Sequence, residues 1–197
     1  MIKMINKYKF SVIITVHKNF DYIFEALLSV KNQSFKNFEI IIVDTYFCKK
    51  RKEIILRKFR QSQIKIKYLK YHNRYLATGA RNFAAKKSRG EFLTFLDDDD
   101  KYKKNYLSSL YKIIQQKSYD LIITEFSEFN QKKKFSKYSI AKSFNINDVY
   151  VYNPAVLPSN IAIKKKTFFD INCFNEKFPW SSDKILLIDI INNKYSY

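Results

Sequence analysis

The chain has 197 residues, 46% of them hydrophobic, which suits one domain with a sizeable core. Two glycines and three prolines argue against a low-complexity chain, and no run of about 18 apolar residues marks a transmembrane helix. The formal charge of +19 suits an anionic partner, but the lysines are spread along the chain and no nucleic-acid-binding motif is visible.

Predicted strands and helices alternate along most of the chain. Continuous β-branched runs mark strands buried on both faces, and a 3.6-residue apolar period marks helices. The predicted strands cover residues 10–16, 38–43, 64–71, 92–96, 120–125 and 159–164. The first predicted helix can be capped by Asn19 or Asp21 and ends near residue 32. The other predicted helices cover residues 49–60, 77–88, 104–117, 167–171 and 182–191. This order predicts an α/β fold with a mainly parallel sheet and right-handed crossovers.

Two segments are predicted as loops. Residues 72–76 connect the third strand to a helix rich in small residues. Residues 126–151 are polar and irregular, with a Lys-rich tip at 131–137, and we interpret them as a mobile loop. Cys48 and Cys173 lie far apart and fit no metal spacing, which indicates reduced thiols in a cytoplasmic protein.

Four consecutive carboxylates, Asp97, Asp98, Asp99 and Asp100, follow the predicted strand at 92–96. Two like charges about 4 Å apart repel by roughly 4 kcal/mol at an effective dielectric near 20, so the cluster needs a counter-charge. In open α/β sheets, ligands bind at the carboxyl ends of the strands. A hard divalent cation that carries phosphate oxygens would supply the charge. The alternative is a solvated acidic turn before the lysines that follow.

Five short motifs occur in a fixed order along the chain. They are L-S-V-K-N-Q-S-F at 28–35, N-F-E-I-I-I-V-D at 37–44, A-R-N at 80–82, G-E-F-L-T-F-L-D-D-D-D at 90–100 and F-N-E-K-F at 174–178. Together they resemble family 2 of the inverting glycosyltransferases, which have the GT-A fold, over about residues 10–191. The resemblance implies one Rossmann-like domain, a three-layer α/β/α sandwich over 1–197. Its nucleotide-sugar part would cover about 8–100, and its acceptor and base part about 101–197.

The family's D-x-D motif falls on Asp97, Asp98 and Asp99. The resemblance implies that Asp99, with Asp97, would hold Mg²⁺ or Mn²⁺ on the donor diphosphate. Asp97 or Asp98 would contact the ribose or the water shell of the metal. The metal would neutralise charge on the nucleoside-diphosphate leaving group.

The resemblance also implies a nucleotide pocket lined by Asp44 and Arg81. Thr15, Val16 and His17 would frame the base, mainly through backbone groups, and His17 is not expected to act as a base or metal ligand. A guanidinium at the start of a helix suits a diphosphate. Arg81 could instead pair with a strand-end aspartate, and both roles are compatible.

Asp183 stands where the family has its general base, the group that takes the proton from the acceptor hydroxyl. The alternative for Asp183 is a plain helix N-cap. Trp180 could form part of the acceptor platform or be buried in the core.

Three departures from the family pattern concern the donor and the base. Thr45 replaces the second acid of the family's D-D pair, which commonly recognises the nucleobase. Asn73 precedes bulky residues where the family often has N-x-G, and Ser182 replaces the Glu of the late Glu-Asp pair. The chain ends at Tyr197, soon after Asp183, so the acceptor part would be minimal or truncated.

These residues predict a metal-dependent inverting glycosyltransferase of polysaccharide biosynthesis. It would move a sugar from a nucleotide donor, UDP-linked in the first instance, to a hydroxyl of a glycan or lipid-linked oligosaccharide. We expect it in the cytoplasm, with its positive surface near an anionic membrane and no specific nucleic acid as partner. One alternative is a catalytically inactive relative that serves as a binding or scaffold subunit. Another is a basic nucleic-acid-binding module.

Overall fold

The computed structural model describes residues 7–17, 22–60, 64–72, 77–129, 135–140 and 143–197. The strands are β1 (Tyr8–Val16), β2 (Phe38–Asp44), β3 (Ile66–Lys70), β4 (Gly90–Asp97), β5 (Leu121–Ile123), β6 (Phe126–Phe129), β7 (Phe135–Tyr138) and β8 (Ile161–Lys164). The helices are α1 (Ile23–Lys31), α2 (Lys49–Lys58), α3 (Ala77–Lys86), α4 (Tyr106–Gln116), α5 (Ile146–Val151), α6 (Lys165–Asp170) and α7 (Ser182–Asn192). Within these residues, no helix combines the length and the apolar composition that crossing a bilayer requires.

The central sheet has six strands in the order β3-β2-β1-β4-β8-β5. β1 pairs in parallel with β2 and β4, and β2 pairs in parallel with β3. β8 lies antiparallel to both β4 and β5. The prediction of an α/β fold with a mainly parallel sheet is confirmed.

Helices cover both faces of this sheet because both faces are apolar. On β1, Val12 and Ile14 pack in the cluster with α1, α2 and α4, whereas Ile13 packs in the cluster with α3, α5, α6 and α7. β2 alternates in the same way, with Ile40 on the first side and Ile41 on the second. Successive strand residues point to opposite faces, so a continuous β-branched run buries both of them. This is the predicted α/β/α sandwich.

Gly90 explains why β4 begins two residues earlier than its apolar run. A Cβ on Gly90 would lie 2.4 Å from the backbone nitrogen of Ser11 and 2.6 Å from the carbonyl carbon of Phe10. The Gly90 N–H donates to Ser11 Oγ at 2.8 Å. Only a residue without a side chain can approach β1 this closely.

The prediction that residues 126–151 form one irregular loop is wrong. β6 and β7 pair antiparallel with Phe126 opposite Tyr138, and the two rings stack with their centroids 4.9 Å apart. α5 follows, and the Asn145 side chain caps it by accepting from the Asn147 N–H at 3.0 Å. Cross-strand aromatic pairing stabilises a hairpin that the polar composition had concealed. Part of the Lys-rich tip lies outside the described residues.

Two further predictions fall wholly or mainly on residues that are not described. The caps suggested for the first helix, Asn19 and Asp21, lie outside the described residues, and α1 follows Tyr22 directly. Residues 73–76 of the predicted loop at 72–76 lie outside them as well.

Candidate active site

The carboxyl ends of three parallel strands bring the acidic turn against β1. In register, Thr15 of β1 lies beside Asp97 of β4, and Val16 lies beside Asp44 of β2. Thr15 Oγ1 donates to Asp97 Oδ1 at 2.8 Å, and the His17 N–H donates to Asp98 Oδ2 at 3.1 Å. The topology therefore gathers these predicted site residues at one sheet edge.

Arg81 provides the positive charge nearest to the end of β4. It lies on α3, is only 6% exposed, and donates from Nη2 to Asp97 Oδ1 at 2.5 Å. The structural pair proposed as one role of Arg81 is therefore present. Its buried Nε has no hydrogen-bond partner within the described part of the chain. A buried guanidinium N–H costs free energy when it is unpaired, so Arg81 retains a donor for a ligand at this edge.

The acidic turn is largely withdrawn from solvent. Asp97, Asp98 and Asp100 are partly buried, and only Asp99 is exposed. Burial raises the pKa of Asp98, and the neighbouring carboxylates add to the rise. Burial likewise raises the pKa of Asp100, although a hydrogen bond with Ser159 acts against it. A solvated turn would not show these features, so the cluster is set up to attract positive charge.

No group of three or more metal-ligating side chains is found in the described ranges. Mg²⁺ usually binds through one or two carboxylates together with substrate phosphates and water, rather than in a complete protein cage. Asp99 offers an exposed carboxylate beside the partly buried, mutually repelling Asp98. These residues therefore fit a divalent cation that arrives with a diphosphate.

Asp44 is completely buried at the end of β2 and is held by donors within the protein. Its Oδ2 accepts from the Tyr68 hydroxyl at 2.6 Å, and its Oδ1 accepts from the Tyr46 N–H at 2.9 Å and from Arg51 Nη1 at 3.3 Å. Arg51 Nη1 also donates to the His17 carbonyl at 2.7 Å. Burial, followed by the contact with Asp44, raises the pKa of Tyr68 well above its usual value.

Arg51 and Tyr68 were not predicted as site residues from the sequence. The signal for Tyr68 is the register, because it pairs with Ile42 and so lies on the same sheet face as Asp44, within reach along the strand. Arg51 lay hidden among the many basic residues of α2. In the structure, Asp44 lies at the predicted edge, and its role toward the nucleotide stays a prediction.

Thr45 and His17 form a polar contact at the start of the neighbouring turn. His17 Nδ1 lies 3.0 Å from Thr45 Oγ1, and this hydroxyl lies 3.1 Å from the Val16 carbonyl, to which it donates. The Val16 side chain is fully buried, so only its backbone reaches this edge. The Thr45 hydroxyl is thus uncharged and is held by contacts within the protein.

Asp183 is brought to the same edge by contacts between α3 and α7. Thr78 Oγ1, one turn before Arg81, lies 3.3 Å from the Pro179 carbonyl and 3.4 Å from Ser182 Oγ. Burial raises the pKa of the Asp183 carboxyl, while the charge of Arg81 acts in the opposite direction. The Thr78 contacts therefore place the first turn of α7, which carries Asp183, beside the helix that carries Arg81.

Asp183 is not the N-cap of α7, because Ser181 holds that position and Asp183 lies in the first turn. The capping alternative is therefore wrong. Asp183 Oδ1 accepts from the Lys184 N–H at 2.8 Å, and Oδ2 accepts from Asn153 Nδ2 at 3.3 Å. Asn153 was not predicted from the sequence, because no local pattern links it to Asp183, 30 positions away.

Trp180 is 94% exposed, so the alternative that it is a core residue is wrong. It lies in a 3₁₀ turn, Pro179–Ser181, immediately before α7. Phe178 and Tyr152 are also more than half exposed, and they flank Trp180 and Asn153 in sequence. Exposed aromatic faces therefore lie along the segments that carry Asp183 and its partner.

This combination of a mainly parallel sheet, two helical layers and an acidic carboxyl edge is the GT-A fold of glycosyltransferases. Residues 11–175 match the model of glycosyl transferase family 2, and the chain belongs to this family. An uncharacterized glycosyltransferase of Rickettsia conorii is 30% identical over 95% of this chain and 31% of its own length. The GalNAc(5)-diNAcBac-PP-undecaprenol beta-1,3-glucosyltransferase of Campylobacter jejuni is 27% identical over 96% of this chain and 62% of its own length. The chain thus spans less than two thirds of each.

Solved structures support the fold. Staphylococcus aureus TarS, in complex with UDP-GlcNAc, is 22% identical and superposes with a TM-score of 0.74 over 92% of this chain and 52% of its own. The mannosyltransferase PcManGT of Pyrobaculum calidifontis, in complex with GDP-Man and Mn²⁺, is 14% identical. It superposes with a TM-score of 0.70 over 96% of this chain and 54% of its own.

Proposed function

We propose that the protein is an inverting glycosyltransferase that uses a nucleotide-sugar donor, in the first instance UDP-linked. The observation that carries the proposal is the contact between Arg81 and Asp97 at the carboxyl edge of the sheet. Thr78, one turn before Arg81, contacts Pro179 and Ser182, which brings the segment that carries Asp183 against the same helix. Membership of glycosyl transferase family 2 supports it, as does the fold shared with TarS, whose complex contains UDP-GlcNAc. The product would be a glycan of polysaccharide biosynthesis.

The donor diphosphate would lie beside the acidic turn, within reach of Arg81. Asp99 and Asp97 would hold Mg²⁺ or Mn²⁺, which when bound neutralises negative charge on the leaving diphosphate. Arg81 keeps Asp97 oriented through Nη2 and retains a buried Nε–H for the ligand. The His17 N–H donates to Oδ2 of Asp98 and does not contact Oδ1. The nucleoside would be framed by Asp44, Thr15, Val16 and His17.

Asp183 would remove the proton from the attacking hydroxyl. A carboxylate with a raised pKa is a stronger base than an ordinary one while it remains ionised near neutral pH. Burial supplies the rise, and the Lys184 N–H and Asn153 amide hold the carboxylate in one orientation. Inversion follows from direct attack on the face of the sugar opposite the leaving group.

The acceptor would be a hydroxyl of a glycan or of a lipid-linked oligosaccharide. The name of the Campylobacter relative describes transfer to an undecaprenol-linked glycan, which supports an acceptor of this kind. Exposed Trp180 would offer an aromatic face to a sugar ring. The protein would work in the cytoplasm, at the inner face of an anionic membrane.

Calorimetric titration of UDP and GDP, with and without Mn²⁺, tests the donor site. We expect metal-dependent binding of UDP that Asp99→Asn removes. Asp148→Asn is the matched control, because Asp148 is an exposed carboxylate on α5. Absence of binding of either nucleotide at millimolar concentration would refute the proposed enzyme.

A second candidate is a catalytically inactive binding or scaffold subunit. The observation that favours it is Asp44, whose carboxylate is saturated by Tyr68, Tyr46 and Arg51 within the protein. Ser182 is likewise buried against Thr78 where the family has an acid. UDP-sugar hydrolysis or transfer separates the two candidates, because the subunit would bind nucleotide in the presence of metal without turning it over.

A further inference from the structure

The basic edge is the surface formed by residues 49–60, which include α2, and residues 64–70, which include β3. β3 is the outermost strand of the central sheet, next to β2. Ten of the nineteen residues in 49–60 and 64–70 are Lys or Arg, and only Glu53 is acidic. About half of the net charge of the protein is therefore carried by these two segments.

The lysines of the basic edge lack the acidic partners that other lysines have. Elsewhere, Lys9 pairs with Glu91 at 2.8 Å and Lys164 pairs with Asp120 at 3.1 Å. Across the described ranges, no ion pair joins a lysine of the basic edge to a carboxylate, whereas Arg51 pairs with Asp44. Among the described residues, the edge therefore presents positive charge that no carboxylate neutralises through an ion pair.

Exposed aromatic rings border the basic edge where β2 ends. Tyr46 is 39% exposed and Phe47 is 36% exposed. Lys70 Nζ lies 5.1 Å above the Phe47 ring, whose centroid is 6.5 Å from that of Tyr68. Aromatic rings beside long, flexible lysines suit the boundary between lipid headgroups and acyl chains.

We propose that the basic edge docks on the surface of an anionic lipid bilayer. Lysines on an outer strand also prevent the pairing of sheet edges, but this accounts only for β3 and not for α2. Binding of a nucleic acid strand would favour aromatic rings interleaved along the surface, on which successive bases stack. Here the exposed rings lie together at one end of the edge, as a shallow membrane anchor requires.

Docking by this edge places the mouth of the candidate active site beside the lipid surface. Tyr46 and Phe47 follow Asp44 closely, and Asp44 lies in register with Val16 at the site. An acceptor whose sugar is linked to a lipid would then be presented at the sheet edge that holds the acidic turn. This consequence rests on the proposed function, whereas membrane docking itself requires no turnover.

Sedimentation with lipid vesicles tests the docking. The variant Lys49→Gln/Lys50→Gln/Lys65→Gln removes three exposed charges from the basic edge. The control Lys112→Gln/Lys117→Gln/Lys177→Gln removes three exposed charges elsewhere, so both variants have the same net charge. On vesicles of phosphatidylglycerol and phosphatidylcholine, we expect the first variant to bind roughly 100-fold more weakly than wild type. The control should remain within about threefold, and Phe47→Ala should also weaken binding.

Equal losses in the two triple variants would overturn the proposal, because net charge alone would then explain the binding. It would also be overturned if vesicles did not bind at about 0.1 M salt while duplex DNA bound and lost affinity in the first variant. Circular dichroism and UDP titration of the same variants check that the fold and the donor site are intact. Failure of nucleotide binding would therefore count against the proposed function, and failure of vesicle binding against the docking surface.

Discussion

Replacing Tyr68 by Phe should show how strongly the interior of the protein stabilises the Asp44 carboxylate. The change removes one hydroxyl, which donates to the fully buried Asp44 at 2.6 Å. A hydrogen bond to a charged group contributes about 1.5–3 kcal/mol, so we expect the free energy of unfolding to fall by about 2 kcal/mol. For a protein of this size, the midpoint of thermal unfolding should fall by about 4–8 °C.

Tyr138→Phe is the matched control. The Tyr138 hydroxyl donates to Glu128 at 3.0 Å, but this pair is exposed. Removing it should change stability by less than about 0.5 kcal/mol, because water replaces the lost contact. Urea unfolding followed by circular dichroism, with unchanged m-values, measures both differences. Equal effects of the two substitutions would refute the idea that burial of Asp44 makes its hydrogen bonds strong.

Arg51 allows the same idea to be tested by charge. Arg51→Met leaves the buried Asp44 carboxylate without its cation, and we expect a loss of about 3–5 kcal/mol in the free energy of unfolding. Adding Asp44→Asn removes the stranded charge, so the double variant should recover a large part of the loss. If Asp44→Asn instead added to the loss, the stranded carboxylate would not be its cause.

Three further changes probe the site and the sheet. Asn153→Ala should move the acidic limb of the pH profile of kcat/KM to higher pH, because the amide stabilises ionised Asp183 and its loss raises the pKa of Asp183. An unmoved limb would argue against Asn153 as a positioning residue. Arg81→Lys should weaken metal-dependent UDP binding by roughly tenfold or more, since lysine keeps the charge and lacks Nε. Titration of UDP at equal Mn²⁺ concentration measures the affinity, and an unchanged affinity would contradict a ligand contact through Nε. Gly90→Ala should lower the free energy of unfolding by several kcal/mol, because the Cβ of the alanine would meet the β1 backbone at 2.4 Å. Urea unfolding close to that of the wild type would show that β1 and β4 can separate there.

The parts of the fold that could be predicted from the sequence are those that depend on local patterns of apolar residues. The β-branched runs of β1 and β2 marked strands buried on both faces, and their alternation with helices predicted the parallel pairing that the structure confirms. The β6–β7 hairpin escaped because its strands have only four residues each, and its stability comes from rings that meet only after the strands pair. Short, exposed strands leave little trace in the apolar period.

The candidate site divides along the same line. The acidic turn was predicted because it lies at a strand end, and Arg81 because the A-R-N motif at 80–82 resembles that of the family; the structure brings the two into contact. Tyr68 and Asn153 were missed because their contacts join side chains that lie far apart in the sequence. Tyr68 contacts Asp44 on the neighbouring strand, and Asn153 contacts Asp183 on α7. Trp180 could not be placed from sequence, since an apolar ring next to a helix start suits a core as well as an open surface.

Gln33 of the first sequence motif and Glu39 of the second have a common structural task, which is to hold the two ends of β4. At its start, the Glu39 carboxylate accepts from the Ser11 hydroxyl at 2.7 Å, and Ser11 Oγ accepts from the Gly90 N–H. Beyond its end, the fully buried Gln33 accepts from the Leu107 N–H at 3.0 Å and donates to the Lys103 carbonyl at 2.8 Å. These contacts fix the acidic turn from both directions along the chain.

The remaining motifs converge on the same strand through α3. Arg81 contacts Asp97, while its neighbour Asn82 donates to the Phe174 carbonyl at 2.9 Å and to Glu176 at 3.0 Å. Two successive residues of one helix thus join the acidic turn to the segment that leads into α7 and Asp183. Because the five motifs contact one another or brace the same strand, a change in one of them should disturb the position of the others. Their joint occurrence in one chain therefore fits the arrangement that the proposed donor site and the proposed base would require at one sheet edge.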